Sequence, residues 1–205
     1  MLFHAWEELR KRQKILESSP ARDENTINDI NAVSDFLNEH FGDSIGNLKS
    51  LSQHGEITYN LVWALFSPNS LVYTQANTLQ AQQVFYFRDG KYQQLSTGEN
   101  YFELTGRIIN HDGIDFGYGD MYIKIQEFAG AKKVQSLTAY PLAAHTNEKL
   151  VREQLIERGR RFAQLVTPSC KEYTGMSIRQ EQNPDGSAKE ILAEVFASSW
   201  SLQMK

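Results

Sequence analysis

Cysteine is nearly absent from the 205-residue sequence, in which Cys170 is the only one. A single cysteine cannot form an intramolecular disulfide, and the sequence contains no Asn-x-Ser/Thr glycosylation site. Acidic residues interrupt the N-terminal segment 1–8 before an apolar signal-peptide core can form. These three absences predict an intracellular, cytoplasmic protein.

The sequence also has no excess of basic charge and no long apolar run. Its formal net charge is −4, so it has no broad positive field with which to attract nucleic acid. No stretch reaches the roughly 18 apolar residues of a membrane span. We therefore expect neither a nucleic-acid partner nor a membrane partner.

Complete motifs for catalysis, metal binding or nucleotide binding are missing as well. The one Gly-Lys pair, Gly90–Lys91, is followed by Tyr92, where a phosphate-binding loop needs Ser or Thr. Asp115–Gly117 spells the metal-binding tripeptide of protein kinases, but the other kinase motifs are absent. The five histidines do not show the spacing of a helical zinc site. We predict no catalytic residue, no metal and no cofactor in this chain.

Helical periodicity is present at the N-terminus. Residues 1–18 predict one helix, and a second begins at Asn25 or Thr26 and ends at Phe41, with Gly42 as its C′ residue. Residues 42–55 contain glycines and serines and indicate a connector. This pattern predicts a helical N-terminal extension over 1–45 and an α+β domain over 55–200.

The middle of the chain changes to a period of two, which is typical of strands. Residues 57–66 are apolar throughout and favour a helix, and residues 83–88 carry apolar side chains on both faces, as in a strand covered on both sides. We expect turns at Asp89-Gly90 and Asp112-Gly113, and a bulge at Gly117 and Gly119. The expected strands are 71–73, 83–88, 91–95, 101–109 and 114–128. In the last two, the residues expected to face inward are Phe102, Leu104, Ile108, Met121, Ile123 and Ile125, and Lys124 and Gln126 are expected to face outward.

The clearest helical pattern spans 147–166, with Thr146 or Asn147 as its cap. Two strands, near 176–179 and 191–197, are expected after it, joined by a turn at 183–186. The predicted fold class is therefore α+β. An antiparallel β-meander packs with a long helix in the C-terminal half, and a helical arm precedes both.

Three arginines on that helix, Arg158, Arg160 and Arg161, have two interpretations. They either grip an acidic partner or phosphate, or form a solvated face paired with Glu153 and Glu157. Gly159 lies among them and predicts close packing against another backbone, because glycine costs about 1 kcal/mol in a helix interior.

The order of these features resembles the domain of unknown function that precedes the ATPase module in fungal AAA-type ATPases. The resemblance covers roughly residues 55–180. It is carried by Trp63-Ala64-Leu65-Phe66 with Pro68, Asp112-Gly113, Phe116-Gly117, Phe128 with Gly130, Leu137, Tyr140-Pro141-Leu142, His145, Leu155, Arg158-Gly159-Arg160, Phe162, Tyr173 and Gly175.

The resemblance implies a non-catalytic recognition or regulatory domain that binds a protein partner or its own ATPase module. ATP and Mg²⁺ are expected only in that module, since this sequence has no Walker motif. The candidate interaction surface comprises His145, Arg158, Arg160 and Arg161. Two alternatives stay open: a truncated remnant without independent function, and an enzyme whose site combines His145, Asp115 and Arg158.

Overall fold

A computed structural model describes residues 2–18, 23–75, 81–112 and 114–164, and the backbone of 173–182 and 188–197. Helices and an antiparallel five-stranded sheet together form an α+β fold, as predicted. Among the described helices, none has the length and hydropathy needed to cross a bilayer.

Two helices occupy the N-terminal region: α1 (Leu2–Ser18) and α2 (Glu24–Gln53). The cap of α2 is Asp23, rather than Asn25 or Thr26 as predicted. Its carboxylate accepts hydrogen bonds from the backbone N–H groups of Asn25 and Thr26 at 3.2 and 3.3 Å, which satisfies two donors that the first helical turn leaves unpaired.

The connector predicted at 42–55 is wrong, because α2 continues as one 30-residue helix to Gln53. Ile45 is buried, and Leu48 and Leu51 pack against the core, so the apolar face continues past Gly42. Burial of that face offsets the low helix propensity of the glycines. The helix ends at Gln53, and Gly55, two residues beyond it, has φ +64° and donates its N–H to the carbonyl oxygen of Ser52.

Residues 57–66 form two elements instead of the predicted α-helix. Ile57 lies in the short strand β1 (Glu56–Thr58) and is fully buried, and a 3-10 helix follows at Tyr59–Leu65. An apolar run this short fits either a strand or a buried helix, so periodicity alone could not distinguish them.

Strands β2 to β7 follow in the middle of the chain. They are β2 (Leu71–Thr74), β3 (Gln83–Gln94), β4 (Asn100–His111), β5 (Phe116–Gln126), β6 (Ala131–Lys133) and β7 (Ala139–Pro141). The main sheet has the order β5-β4-β3-β2-β7, and β1 pairs separately with β6.

The turn predicted at Asp89-Gly90 is wrong, because β3 passes through both residues with a register shift just before Asp89. A Cβ at Gly90 would lie 2.5 Å from the ring of Phe102, so this glycine makes room for an aromatic ring. The chain reverses after β3. There the Leu95 N–H donates to the Glu99 carbonyl oxygen and Gly98 has φ +91°.

The predicted reversal after β4 is confirmed: β4 ends at His111 and β5 begins at Phe116, with Gly113 outside the described residues. The bulge predicted at Gly117 and Gly119 is wrong. The β4–β5 register runs without interruption from Tyr101 opposite Gln126 to His111 opposite Phe116. Both glycines are therefore in regular strand pairing with β4.

Strands β3, β4 and β5 bury mainly one face of the main sheet, whereas β2 is buried on both faces. The predicted inward residues Phe102, Leu104, Ile123 and Ile125 are buried, and Phe85 and Phe87 of β3 join them. The other face of β3 is covered only in part of the predicted segment, because Val84 packs against the core whereas Tyr86 is 43% exposed. An antiparallel sheet tolerates this arrangement, with one face on the core and one facing water.

Helix α3 (Glu148–Ala163) follows the sheet, within the predicted range 147–166, whose last two residues lie outside the described ones. Val151 is buried in the core and Leu155 packs against it. Gly159 makes no close contact: a Cβ built there meets nothing within 4 Å, which contradicts the prediction of close packing.

The two predicted C-terminal strands are confirmed and are longer than expected. β8 (Tyr173–Gln182) pairs antiparallel with β9 (Ala188–Ala197). The turn predicted at 183–186 and the lone Cys170 lie outside the described residues.

Candidate interaction surface

Large apolar side chains are exposed on the outer face of the β4–β5 hairpin. Residues directly opposite each other share a face, so Ile109 and Tyr118 lie side by side, as do His111 and Phe116. Ile109 is 62% exposed, Tyr118 67% and Phe116 49%. The end of the hairpin therefore presents large apolar and aromatic side chains to solvent.

Two neighbouring elements extend this surface. From β3, Tyr86 lies opposite Arg107, which is two residues from Ile109 in β4 and on the same face. From α3, the ring of Phe162 meets that of Phe116 edge-on, with 6.0 Å between the centroids. We call Tyr86, Ile109, Phe116, Tyr118 and Phe162 the hairpin-face patch.

The composition of the hairpin-face patch is typical of protein interfaces, in which aromatic residues are enriched. The exposed area of its five residues is on the order of 500 Å², taking about 200 Å² for a large side chain. Apolar patches of this size on a monomer are often functional. Arg107 and Asp120, which lie opposite each other on the same face, supply charges at its side.

A hydrogen bond positions α3 beside the hairpin. Nη1 of Arg158 donates to the backbone carbonyl oxygen of Gln82, 2.6 Å away and just before β3. Together with the contact between Phe162 and Phe116, this bond holds the C-terminal end of α3 next to the sheet. The arginine predicted to bind a partner therefore has an internal contact.

The other two predicted arginines pair with Glu157. Nε of Arg161 lies 3.1 Å from the Glu157 carboxylate, and Nη1 of Arg160 lies 3.9 Å from it. Both arginine side chains stay about three-quarters exposed, in the last turn of α3, where positive charge interacts favourably with the helix dipole. They add positive charge to the turn of α3 that carries Phe162.

His145 lies at the opposite end of α3 from these arginines. Its Nδ1 accepts a 2.9 Å hydrogen bond from the backbone N–H of Asn147, and its ring stacks with that of Tyr140. The ten residue steps from Glu148 to Arg158 span roughly 15 Å of helix. The structure thus brings the three arginines together and leaves His145 apart from them.

Asp115 lies at the end of the β4–β5 hairpin, where its backbone N–H donates to the carboxylate of Asp112. Two open depressions, of about 590 and 240 Å³, occur elsewhere on the described surface, and neither is lined by Asp115, His145 or Arg158. Across the described ranges, no three His, Cys, Asp or Glu side chains gather as metal ligands.

Two ionisable groups near the sheet, Tyr92 and Asp112, have pKa values shifted away from neutrality. Burial raises the pKa of Tyr92 to about 12, and its hydroxyl donates a 2.9 Å hydrogen bond to the carbonyl oxygen of Tyr59. The backbone N–H groups of Asp115 and Ile114 lower the pKa of Asp112. Neither Tyr92 nor Asp112 is therefore suited to exchange protons near pH 7.

Reasoning from sequence missed the hairpin-face patch. Its signal was nevertheless present: Phe116 and Tyr118 have the same parity as Lys124 and Gln126, which were predicted to face outward. Two aromatic residues on an outward face indicate a surface with a purpose other than solubility.

One family model matches the chain. Residues 47–146 are similar to the family described as "Domain of unknown function (DUF7025)". The match is a little under half of the chain, from the end of α2 to the segment before α3. It includes β3, β4 and β5, which carry four of the five residues of the hairpin-face patch. No curated protein matches the chain. No solved structure matches it either.

Proposed function

We propose that this chain is a non-catalytic recognition domain of the kind that precedes the ATPase module in AAA-type ATPases. In this proposal it binds a protein, either a substrate or adaptor or the ATPase module itself, through the hairpin-face patch. ATP and Mg²⁺ belong to the ATPase module, and the location is cytoplasmic. The match to a family of unknown function is compatible with the resemblance on which this assignment rests.

The observation that carries the proposal is the exposure of four aromatic residues and one isoleucine in a single patch. Leaving such side chains in water forgoes roughly 1.5–3 kcal/mol each of possible burial energy, and a partner recovers that energy. Arg160 and Arg161 are exposed in the last turn of α3, the turn that also carries Phe162, and this positive charge favours a partner with acidic residues.

Site-specific crosslinking tests this proposal. Benzoylphenylalanine replaces Tyr118 in the full chain inside host cells, and a matched probe replaces Phe36, which is 46% exposed on α2. We expect one protein to crosslink at position 118 and not at position 36. No crosslink at position 118 beyond those at position 36 would contradict the proposal.

Binding measurements with the purified crosslinked protein complete the test. We expect Tyr118→Ala and Phe116→Ala each to weaken binding by about tenfold or more, since exposed aromatic anchors dominate interface energies. Phe36→Ala serves as the control and should bind like the wild type. Equal binding by all four proteins would exclude the hairpin-face patch as the binding surface.

A further inference from the structure

Strand β5 is an edge of the main sheet. It pairs with β4 over its whole length, Phe116–Gln126, and no strand that the structure describes pairs with its other side. Long exposed edges offer a row of backbone donors and acceptors to another strand. Two-stranded pairing between copies of one chain is a common way to satisfy them.

The hydrogen-bond pattern identifies which residues of β5 present these groups. The backbone N–H of Glu127, just beyond β5, donates to the carbonyl oxygen of Asn100 at 2.9 Å. Bonded and non-bonded positions alternate in an antiparallel ladder, so odd-numbered residues of β5 bond to β4. The backbone groups of Tyr118, Asp120, Tyr122, Lys124 and Gln126 therefore point to the open side.

Two of these residues carry opposite charges four positions apart. Asp120 and Lys124 are exposed on the same face of β5. Across β4 they lie opposite Arg107 and Glu103, respectively. Among the described residues neither forms an ion pair, and the ammonium of Lys124 lies 4.5 Å from the centre of the Tyr101 ring. Midway between them is Tyr122, which is 61% exposed.

We propose that two copies of this chain associate by antiparallel pairing of β5 with β5, centred on Tyr122. This register places Asp120 of each copy opposite Lys124 of the other, on the same face of a continuous ten-stranded sheet. It also places Tyr122 of one copy directly opposite Tyr122 of the other as a hydrogen-bonded pair, because the backbone groups of Tyr122 face the open side.

The charges select this register over its neighbours. Pairing centred on Asp120 or on Lys124 places like charges directly opposite each other, which is destabilising. Pairing centred on Met121 or Ile123 leaves both charges opposite uncharged residues. Only the register centred on Tyr122 compensates both charges twice, once on each side of the two-fold axis.

Sedimentation velocity of the full chain over a wide concentration range tests the proposal. We expect a monomer–dimer equilibrium in the wild type. Asp120→Lys alone and Lys124→Asp alone should each weaken the dimer by about tenfold or more, because two attractive pairs become repulsive. The control Asp43→Lys makes the same charge change as Asp120→Lys at an exposed position of α2 and should leave the dissociation constant of the dimer unchanged.

Restoration of the pairing distinguishes this register from a general effect of charge. The double variant Asp120→Lys/Lys124→Asp should dimerise like the wild type, and a mixture of the two single variants should form a heterodimer. A monomer at all concentrations, single variants that still dimerise fully, or a double variant that stays monomeric would each overturn the proposal.

Amide hydrogen exchange on the wild-type chain gives a second test that needs no variant. The amides of Asp120, Tyr122 and Lys124 should be protected at high concentration and exchange quickly on dilution. Those of Met121 and Ile123 bond to β4 and should stay protected throughout. Equal protection of both sets at every concentration would contradict the pairing.

Discussion

At the scale of single residues, two glycines of the main sheet make room for phenylalanine rings. A Cβ at Gly106 would lie 2.1 Å from the ring of Phe85 and 2.8 Å from the carbonyl oxygen of Tyr86. Gly90 stands in the same relation to Phe102. The large buried rings therefore depend on positions in the neighbouring strand that carry no side chain.

Gly106→Ala should lower the free energy of unfolding by roughly 1–3 kcal/mol, since the added methyl group overlaps the Phe85 ring and the backbone. Gly117→Ala is the matched control in the same hairpin, where a Cβ meets nothing within 4 Å. It should lower the free energy of unfolding by less than about 0.5 kcal/mol. Urea unfolding measures both, and equal effects would show that the space around Gly106 is not limiting.

The hydroxyl of Tyr92 predicts a loss of stability at high pH. Its pKa is about 12 in the folded chain, against 10.0 for an unperturbed tyrosine. Above pH 10 the unfolded chain loses this proton first, so the contribution to stability is complete below pH 10 and is lost as pH rises through 12. We expect Tyr92→Phe to show a smaller decrease in urea midpoint between these pH values than the wild type.

Tyr118→Phe is the control for that experiment, because its side chain is the more exposed of the two. This variant should keep the pH dependence of the wild type. If Tyr92→Phe instead follows the wild-type curve, the hydroxyl of Tyr92 is not responsible for the alkaline loss.

At the scale of elements, α2 contains two glycines in open positions. A Cβ at Gly42 or Gly46 meets nothing within 4 Å. We expect Gly42→Ala and Gly46→Ala each to raise the free energy of unfolding by up to about 1 kcal/mol, through helix propensity alone. Thermal unfolding followed by the helical circular dichroism signal measures the gain.

Gly55→Ala is the contrasting variant for this helix. Because Gly55 has φ +64°, an alanine there is strained and should cost roughly 1–2 kcal/mol. If residues 42–55 were irregular and not helical, Gly42→Ala and Gly46→Ala would not raise the helical signal. Their effects on stability would then not differ from that of Gly55→Ala.

The strands could be predicted from the sequence because their faces alternate. Leu104, Ile123 and Ile125 show the period of two directly, and the structure buries all three. The backbone conformation at the glycines could not be predicted in this way. Gly90 resembles a turn residue and Gly42 a helix end, but the side chains that decide their conformation, such as Phe102, lie in other elements.

The candidate surface depended still more on distant contacts. Arg158 bonds to the backbone of Gln82, 76 residues earlier in the chain, and no local pattern indicates that contact. Phe162 lies in a helix that the sequence predicts, but its ring is 41% exposed and contacts Phe116 of the hairpin. Only the packing of α3 on the sheet could show this.

At the scale of the whole molecule, a small aromatic cluster joins the N-terminal helices to the rest. The ring of Phe3 in α1 lies 4.5 Å from that of Trp63 and 5.6 Å from that of Phe41. Trp63 also packs against the main core. The division into an extension over 1–45 and a domain over 55–200 stays a prediction, which this cluster makes testable.

Phe3→Ala should detach α1, because a helix of this length is marginal without packing. Removing a buried phenylalanine costs about 3–5 kcal/mol in well-packed sites. We expect α1 amides to exchange with solvent much faster while those of β4 and β5 keep their protection. The control Ile15→Ala, at a position 66% exposed in α1, should change neither. Equal loss of protection in both regions would show one cooperative unit.

The unbroken register of β4 and β5 limits how the length of this chain can vary in evolution. Successive side chains alternate between faces, so inserting or deleting one residue inside either strand transfers every residue beyond that point to the opposite face. In β5, such a change before Asp120 would turn Ile123 and Ile125 toward water and Asp120 toward the core. We expect changes of length to be tolerated instead between His111 and Phe116, because they leave the faces of both strands unchanged.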